Sequence, residues 1–297
     1  MTASLFVQGL INGLNQGAIY ALIALGYTMV YGIIRMINFA HGDFIMIGAY
    51  TLFYTIPLMV DAGMPAWMAV IVAVAVCALV GVLVEILAYR PVRKAGPMSA
   101  LITALAMSIF LENLAMVLFG AKPHNVQAIF SLPTITVGGV SLPLNVLLTI
   151  GIGVAMMLCM QLFVKKTKLG KAMRAVSEDM GAAQLMGISL NRTISFTFAI
   201  GSALAGIGSV LYLCAYQQAS PTMGSMLGLK AFVAAVLGGI GSIPGAMIGG
   251  FAIGLLEALV SAVGLSIWKD GVVFAILIVV LLVKPTGILG RPQMEKV

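Results

Sequence analysis

The strongest constraint in this sequence is a succession of apolar runs, each close to the length that crosses a bilayer. They fall at about 5–34, 44–60, 66–88, 98–119, 143–164, 193–216, 227–239, 244–264 and 267–283, separated by short polar or Pro/Gly-rich segments. A hydrocarbon core of about 30 Å needs about 20 helical residues. Composition agrees: 61% of the 297 residues are hydrophobic, 8% are charged, and the mean hydropathy is +1.12. So few charges cannot cover a water-soluble globule of this size, and no long polar or low-complexity tract supports disorder. The expected fold class is an all-α, polytopic integral membrane protein embedded in lipid, with residues 1–297 forming a single transmembrane domain.

Charge then suggests an orientation. If 89–97 faces the cytoplasm and the runs alternate, that side collects Arg35, Arg90, Arg93, Lys94, Lys165, Lys166, Lys168, Lys171, Arg174, Arg192, Lys284, Arg291 and Lys296. The other side keeps Lys122 and Lys269, while Lys230 lies inside a run. Lys and Arg concentrate in cytoplasmic loops, so the C-terminus is expected in the cytoplasm and the N-terminus outside. The net charge of +7 is thereby accounted for by topology, and no nucleic-acid partner is expected. The start, Met1-Thr-Ala-Ser-Leu5, has neither a basic n-region nor an A-x-A site, so no cleaved signal peptide is expected.

Two regions are not simple spans. The first run, 5–34, is longer than a crossing needs. Residues 227–239 are too few and lead into Gly238-Gly-Ile-Gly-Ser-Ile-Pro-Gly245, as a broken or re-entrant helix would. The count is therefore eight or nine helices.

Within the first run, Gln8, Asn12, Gln16 and Tyr20, then Tyr27, Thr28 and Tyr31, share a helical face, with Asn15 beside them. Such a stripe belongs against protein or water, as helix–helix hydrogen bonding or as the wall of a substrate path. An adjacent face repeats Gly9, Gly13, Gly17 and Ala21. Gly241, Gly245, Gly249 and Gly250, Gly254 repeat the spacing, as close-packing seams do. Carboxylates near spans are functional candidates because they are costly in hydrocarbon. Glu85 precedes Arg90 by five residues and suits an interfacial ion pair, whereas Glu112 and Glu257 have no evident partner and are candidates for a path or gate.

Enzyme chemistry finds little footing. His41 and His124 are the two histidines, there is no H-E-x-x-H, and no G-x-x-x-x-G-K-[ST] cradle for ATP. Cys77, Cys159 and Cys214 lie in apolar runs without metal or disulfide spacing. No cofactor is expected, and the chain reads as a transport subunit rather than an enzyme. Two polar elements on the cytoplasmic side stand out. Asn38-Phe-Ala-His-Gly-Asp43 reads either as a functional turn, with Asn38, His41 and Asp43 as candidates, or as an N-cap in which Asp43 precedes Phe44. The loop 165–192 should hold a short helix over about 178–186, capped by Ser177, acidic at Glu178 and Asp179, and stopped at Gly187. Ala182, Ala183, Leu185 and Met186 give it an apolar patch, suiting an interfacial helix or a docking helix.

Three stretches carry a resemblance over about 5–290: Gly17-Ala-Ile-Tyr-Ala-Leu-Ile-Ala-Leu-Gly26, Met36-Ile-Asn-Phe-Ala-His-Gly-Asp43 and Leu237-Gly-Gly-Ile-Gly-Ser-Ile-Pro-Gly-Ala246. They resemble the permeases of bacterial branched-chain amino-acid ABC transporters, in particular their shorter type. The resemblance implies an inner-membrane chain paired with a second, homologous permease subunit. It also implies two cytoplasmic ABC ATPase subunits, a periplasmic substrate-binding protein and an amino-acid substrate. It further implies an E-A-A-x-x-x-G docking loop. Gly181-Ala-Ala-Gln-Leu-Met-Gly187 has that spacing, with Gly181 in place of the Glu and Glu178 one turn earlier. The expected ATPase-coupling residues are thus Glu178, Asp179, Gly181, Ala182, Ala183 and Gly187. Permeases for urea, sugars or other amino acids, and an ion-coupled secondary transporter, remain alternatives.

Overall fold

A computed structural model describes residues 3–93, 95–130, 133–137 and 140–290. Lys94, Arg291 and Lys296 of the cation count lie outside the described residues. Among those described, eight helices are long and apolar enough to cross a membrane, and a ninth, shorter apolar helix joins them.

The first is α1 (Ala3–Ile34), one unbroken helix over the long first run. At about 1.5 Å per residue its 32 residues exceed the thickness of a bilayer core. Then come α2 (His41–Asp61) and α3 (Met68–Val84), which runs on through a π-turn at Glu85–Tyr89 into Arg90–Val92. Helices α4 (Pro97–Phe119) and α5 (Leu144–Lys166) follow. The connection after α5 folds into α6 (Lys168–Glu178) and α7 (Met180–Leu185), and leads to α8 (Leu190–Tyr216). The last three are α9 (Met223–Gly238), α10 (Ile243–Ala262) and α11 (Lys269–Val283).

The connections gather at two ends. At one, β1 (His124–Asn125) pairs antiparallel with β4 (Gln218–Ala219), and β2 (Thr134–Val137) with β3 (Val140–Pro143). The Gln8 side chain accepts from the backbone N–H of Ser141 at 2.9 Å, tying α1 to β3. At the other end Arg35 donates to the Ser177 carbonyl at 3.2 Å, and Arg93 to Asn191 at 3.1 Å. The strands and Lys122 mark the first, or strand, end. The second, basic end carries Arg35, Arg90, Arg93, the lysines of 165–171, Arg174, Arg192 and Lys284.

α1 is the core of the bundle. From Ala18 to Leu25 each side chain is at most 1% exposed. The apolar residues of α4, α5 and α11 are largely exposed, which suits helices facing lipid or another subunit. Small residues bring α1 and α10 together. A Cβ on Gly13 would meet the Gly254 carbonyl at 2.9 Å, and one on Gly17 would meet the Phe251 Cα at the same distance. Gly9, near the start of α1, has no such neighbour, so the seam runs from Gly13 inward. The second glycine series holds α9 against α10, with Gly245 against Gly238 and Gly249 against Ala234.

The 227–239 run is resolved as α9, 16 residues or about 24 Å, short of a hydrocarbon core. Its start does not reach the strand end: Gly224 and Gly228 lie against Gly42 in the first turn of α2. A left-handed Gln217, the short strand Gln218–Ala219 and a turn at 221–222 connect α8 to its start. At its far end, Ile288 and Leu289 donate backbone bonds to the carbonyls of Leu237 and Gly238, both at 2.9 Å. These bonds satisfy carbonyls that a helix C-terminus leaves open.

Candidate functional site

A cavity of about 820 Å³ opens between α1, α8, α9 and α10 toward the strand end. The four-residue spacing on α1 builds one wall, because Gln8, Asn12, Gln16 and Tyr20 project from the same side of the helix. Tyr216 donates to Gln16 at 2.5 Å, and Gln8 bonds β3. The stripe therefore bonds neighbouring elements, as the helix–helix reading expects, and also lines a cavity.

At the cavity floor, Lys230 and Glu257 belong to an ion cluster that continues to Asp270, just behind the cavity lining. The Lys230 Nζ of α9 lies 2.7 Å from the Glu257 carboxylate of α10 and 2.7 Å from the Asp270 carboxylate of α11. Tyr20 donates to the other oxygen of Glu257 at 3.1 Å. The Lys230 ammonium also sits 5.9 Å from the centre of the Tyr20 ring. Lys230 and Glu257 are buried, whereas Asp270 is 36% exposed. Two carboxylates thus face one ammonium, and Lys269 on the cavity wall supplies a second cation. Glu257, solitary in the sequence, thus acquires two partners that its surrounding apolar residues gave no sign of.

Of the other path candidates, Asn15 is half-buried beside the stripe but does not line the cavity. Asn38, His41, Asp43 and Glu112 form a separate region around the first turn of α2. Tyr89 donates to Asn38 at 2.7 Å. His41 is not in a loop, as the run boundaries implied. It opens α2 and is fully buried, with its ring 4.6 Å from that of Tyr27. Asp43 is not an N-cap either. It is the third residue of α2, the cap position is Ala40 without a side-chain bond, and Asp43 is fully buried with Ser108 and Glu112 of α4 facing it. The helix begins earlier than the apolar run because the His-Gly-Asp turn is itself enclosed: Gly26 and Gly201 make room for His41, and Gly224 for Asp43. Glu112 accepts a hydrogen bond from Ser225 of α9.

Residues that sequence reasoning missed are Lys230, Asp270, Tyr212 and Tyr216. Lys230 was the available signal, since a cation in the middle of an apolar run calls for an anion, and Glu257 is a buried one. Asp270 gave no such signal because it sits next to Lys269 at the start of the 267–283 run, where a charge at a helix end is ordinary.

The basic end builds the second element. In α6, Gly170, Met173 and Val176 turn inward while Lys168, Lys171 and Arg174 face out. Thr167 caps it by accepting from Gly170 N at 2.9 Å. The short helix starts two residues later than expected. Asp179, not Ser177, is its N-cap, accepting from Ala182 N at 2.9 Å, while the Ser177 hydroxyl donates back to the Arg174 carbonyl at 2.7 Å. Asp179 has the extended backbone a cap needs, and Glu178 instead ends α6. Gly187 stops the helix at φ +83°, as its spacing predicted. The apolar patch is split: Ala183 is buried against the body, while Leu185 and Met186 are 90% and 83% exposed, with Gly181 and Ala182 on the open side. The Arg35–Ser177 bond ties this α6–α7 elbow to the end of α1.

Buried Glu85 receives Arg90 at 2.7 Å, Arg93 at 2.6 Å and the Ser195 hydroxyl at 2.8 Å, so the interfacial ion pair expected from the sequence is present and extended.

Comparison with known proteins agrees with this architecture. Residues 9–281 match the family described as branched-chain amino acid transport system / permease component. The chain is 46% identical to the high-affinity branched-chain amino acid transport system permease protein LivH of Salmonella typhimurium, over 98% of each chain. It is 44% identical to the corresponding BraD protein of Pseudomonas aeruginosa over the same shares, and 25% identical to the ribose import permease protein RbsC of Escherichia coli over 92% of this chain. With a family match spanning nearly all of its length and relatives of this identity, the chain belongs to the permease components of branched-chain amino-acid transport systems.

Proposed function

We propose that this chain is one permease subunit of an ATP-driven importer that carries branched-chain amino acids across a bacterial inner membrane. The observation that carries this reading is the identity of 44–46% to LivH and BraD along 98% of the sequence. The much lower identity to the ribose permease favours amino acids over sugars as cargo. In this reading the protein is a transport subunit and not an enzyme. ATP is hydrolysed by two separate cytoplasmic subunits, a second permease completes the path, and a periplasmic protein delivers the substrate.

Orientation follows from charge. The basic end faces the cytoplasm, together with the C-terminus, and the strand end with its cavity faces the periplasm. A cavity open to the periplasm receives solute; a basic, solvent-exposed elbow meets the ATPases. Gly181, Ala182, Leu185 and Met186 form the contact, Asp179 and Gly187 fix the helix ends, Glu178 closes α6, and Ala183 anchors α7 to the body. Movement of α7 reaches α1 through the Arg35–Ser177 bond, and α1 forms a wall of the cavity. ATP drives transport by binding one arrangement of this path more tightly than the other.

The test is reconstitution in liposomes. The complete assembly should accumulate leucine only with internal ATP, and this chain without ATPases should accumulate none under an ion gradient. Leu185→Asp should cut uptake by about tenfold or more, as loss of about 1.4 kcal/mol of coupling would. The amount of folded chain in the membrane should stay unchanged, because Leu185 is exposed. Gradient-driven uptake by the chain alone would overturn the reading.

A further inference from the structure

The cavity floor has a composition that the proposed transport role does not itself require. The geometry points to the Lys230–Glu257–Asp270 cluster as a subsite for the zwitterionic head of a free α-amino acid, with the aliphatic side chain placed against Met223, Met226 and Leu227. This rests on the reading of the chain as an amino-acid permease and adds a recognition step inside it.

Charge balance in a partly dehydrated space favours such a site. An α-amino acid brings a carboxylate and an ammonium on one carbon, and moving both from water toward the membrane interior is costly unless each finds an opposite charge. Lys230 holds two carboxylates at 2.7 Å, and they differ in burial. Glu257 is locked: its side chain is 8% exposed and its second oxygen takes the Tyr20 hydroxyl at 3.1 Å. Asp270, at 36% exposed, is partly in water and can leave Lys230 at lower cost. The incoming carboxylate then takes the place of Asp270 on the Lys230 ammonium, and the released Asp270 receives the ligand's ammonium. Two ion pairs become three, no charge is left unpaired, and the net charge of the floor is unchanged. A neutral sugar or a simple cation offers no such exchange.

The apolar half of the site lies on the same helix. Met223, Met226 and Leu227, in the first turns of α9, line the cavity beside Lys230. Methionine and leucine surfaces accept branched aliphatic groups of differing shape, which suits a site reading the head group closely and the side chain loosely.

The proposal is tested on the assembled transporter in nanodiscs, without binding protein or ATP, so that binding is read apart from transport. Cys159 and Cys214 are replaced by alanine, Cys77 being buried, and Ser261→Cys on the cavity wall provides the reporter. The rate of its modification by a small aqueous maleimide is followed on this chain. L-leucine should slow the reaction. Isocaproate, which lacks the ammonium, and isoamylamine, which lacks the carboxylate, should require at least tenfold higher concentrations. Lys230→Met should raise the half-protecting concentration of leucine about tenfold, equivalent to about 1.4 kcal/mol, and Lys230→Arg should restore part of it. Should Lys230→Met fail to assemble, Asp270→Asn, at the exposed edge of the cluster, serves in its place and should weaken leucine protection without weakening isocaproate protection. Equal protection by leucine and isoamylamine, no protection by leucine, or unchanged protection in the charge variants would overturn the subsite and leave the cluster as a tie between three helices. Those results would leave the transport reading intact provided uptake by the wild-type assembly still requires ATP. Absence of ATP-dependent uptake would refute the transport reading instead.

Discussion

Glu85 shows how a single carboxylate organises the basic end. It is fully buried, yet all three of its partners sit on the polar edge of the bundle, where Arg90 remains about one-third exposed. The chain accommodates it with a π-turn over Glu85–Tyr89, the kind of local widening that often marks such inserted polar contacts. Glu85→Ala would leave Arg93, with its side chain 14% exposed, beside Arg90 without a counter-charge. The expected loss is about 1–3 kcal/mol of stability, read as a lower melting temperature of the purified protein; an unchanged temperature would contradict it. The pairing with Arg90 was legible from a spacing of five residues. The contributions of Arg93 and Ser195 were not, because the first depends on the π-turn that winds the chain from Glu85 to Arg93 and the second on how α3 meets α8.

Among the elements, the glycine seam between α1 and α10 carries the clearest prediction. A side chain at Gly254 would collide with the Gly13 carbonyl and the Gly17 backbone, which have no rotamer to yield. Gly254→Val should therefore destabilise the fold by at least about 1–3 kcal/mol and deplete folded chain from the membrane, as measured by size-exclusion chromatography of solubilised protein. Gly9→Ala, where nothing lies within 4 Å, should behave as the native chain. The four-residue repeats announced this seam in advance, since small residues at that spacing have few uses other than close approach. Helix starts were harder to read. Asp43 looked like a cap because it precedes an apolar run, but buried packing around Gly42 draws the helix back to His41. Ser177 and Asp179 are both good capping residues, and the choice fell to whichever had the extended backbone.

For the whole molecule, number of spans, alternation and sidedness of charge were legible, because apolar length and the placement of Lys and Arg are properties of the chain itself. The cavity was half legible. The α1 stripe declared one wall, while the opposite wall depends on bringing Tyr216, Lys230 and Glu257 together from three helices. Length alone also left α9 ambiguous; its start is set by packing of Gly224 and Gly228 on Gly42 and its end by the carbonyl contacts of 288–289.

The central claim is that this chain has its motor docked at the basic end, on the cytoplasmic side. Cysteine at Leu185, in a background without reactive native cysteines, tests it most directly with a membrane-impermeant thiol reagent. The account predicts no labelling of intact spheroplasts, prompt labelling of inside-out vesicles stripped of ATPases, and protection when the ATPases are restored. Labelling from the outer medium, or labelling indifferent to the ATPases, would contradict it.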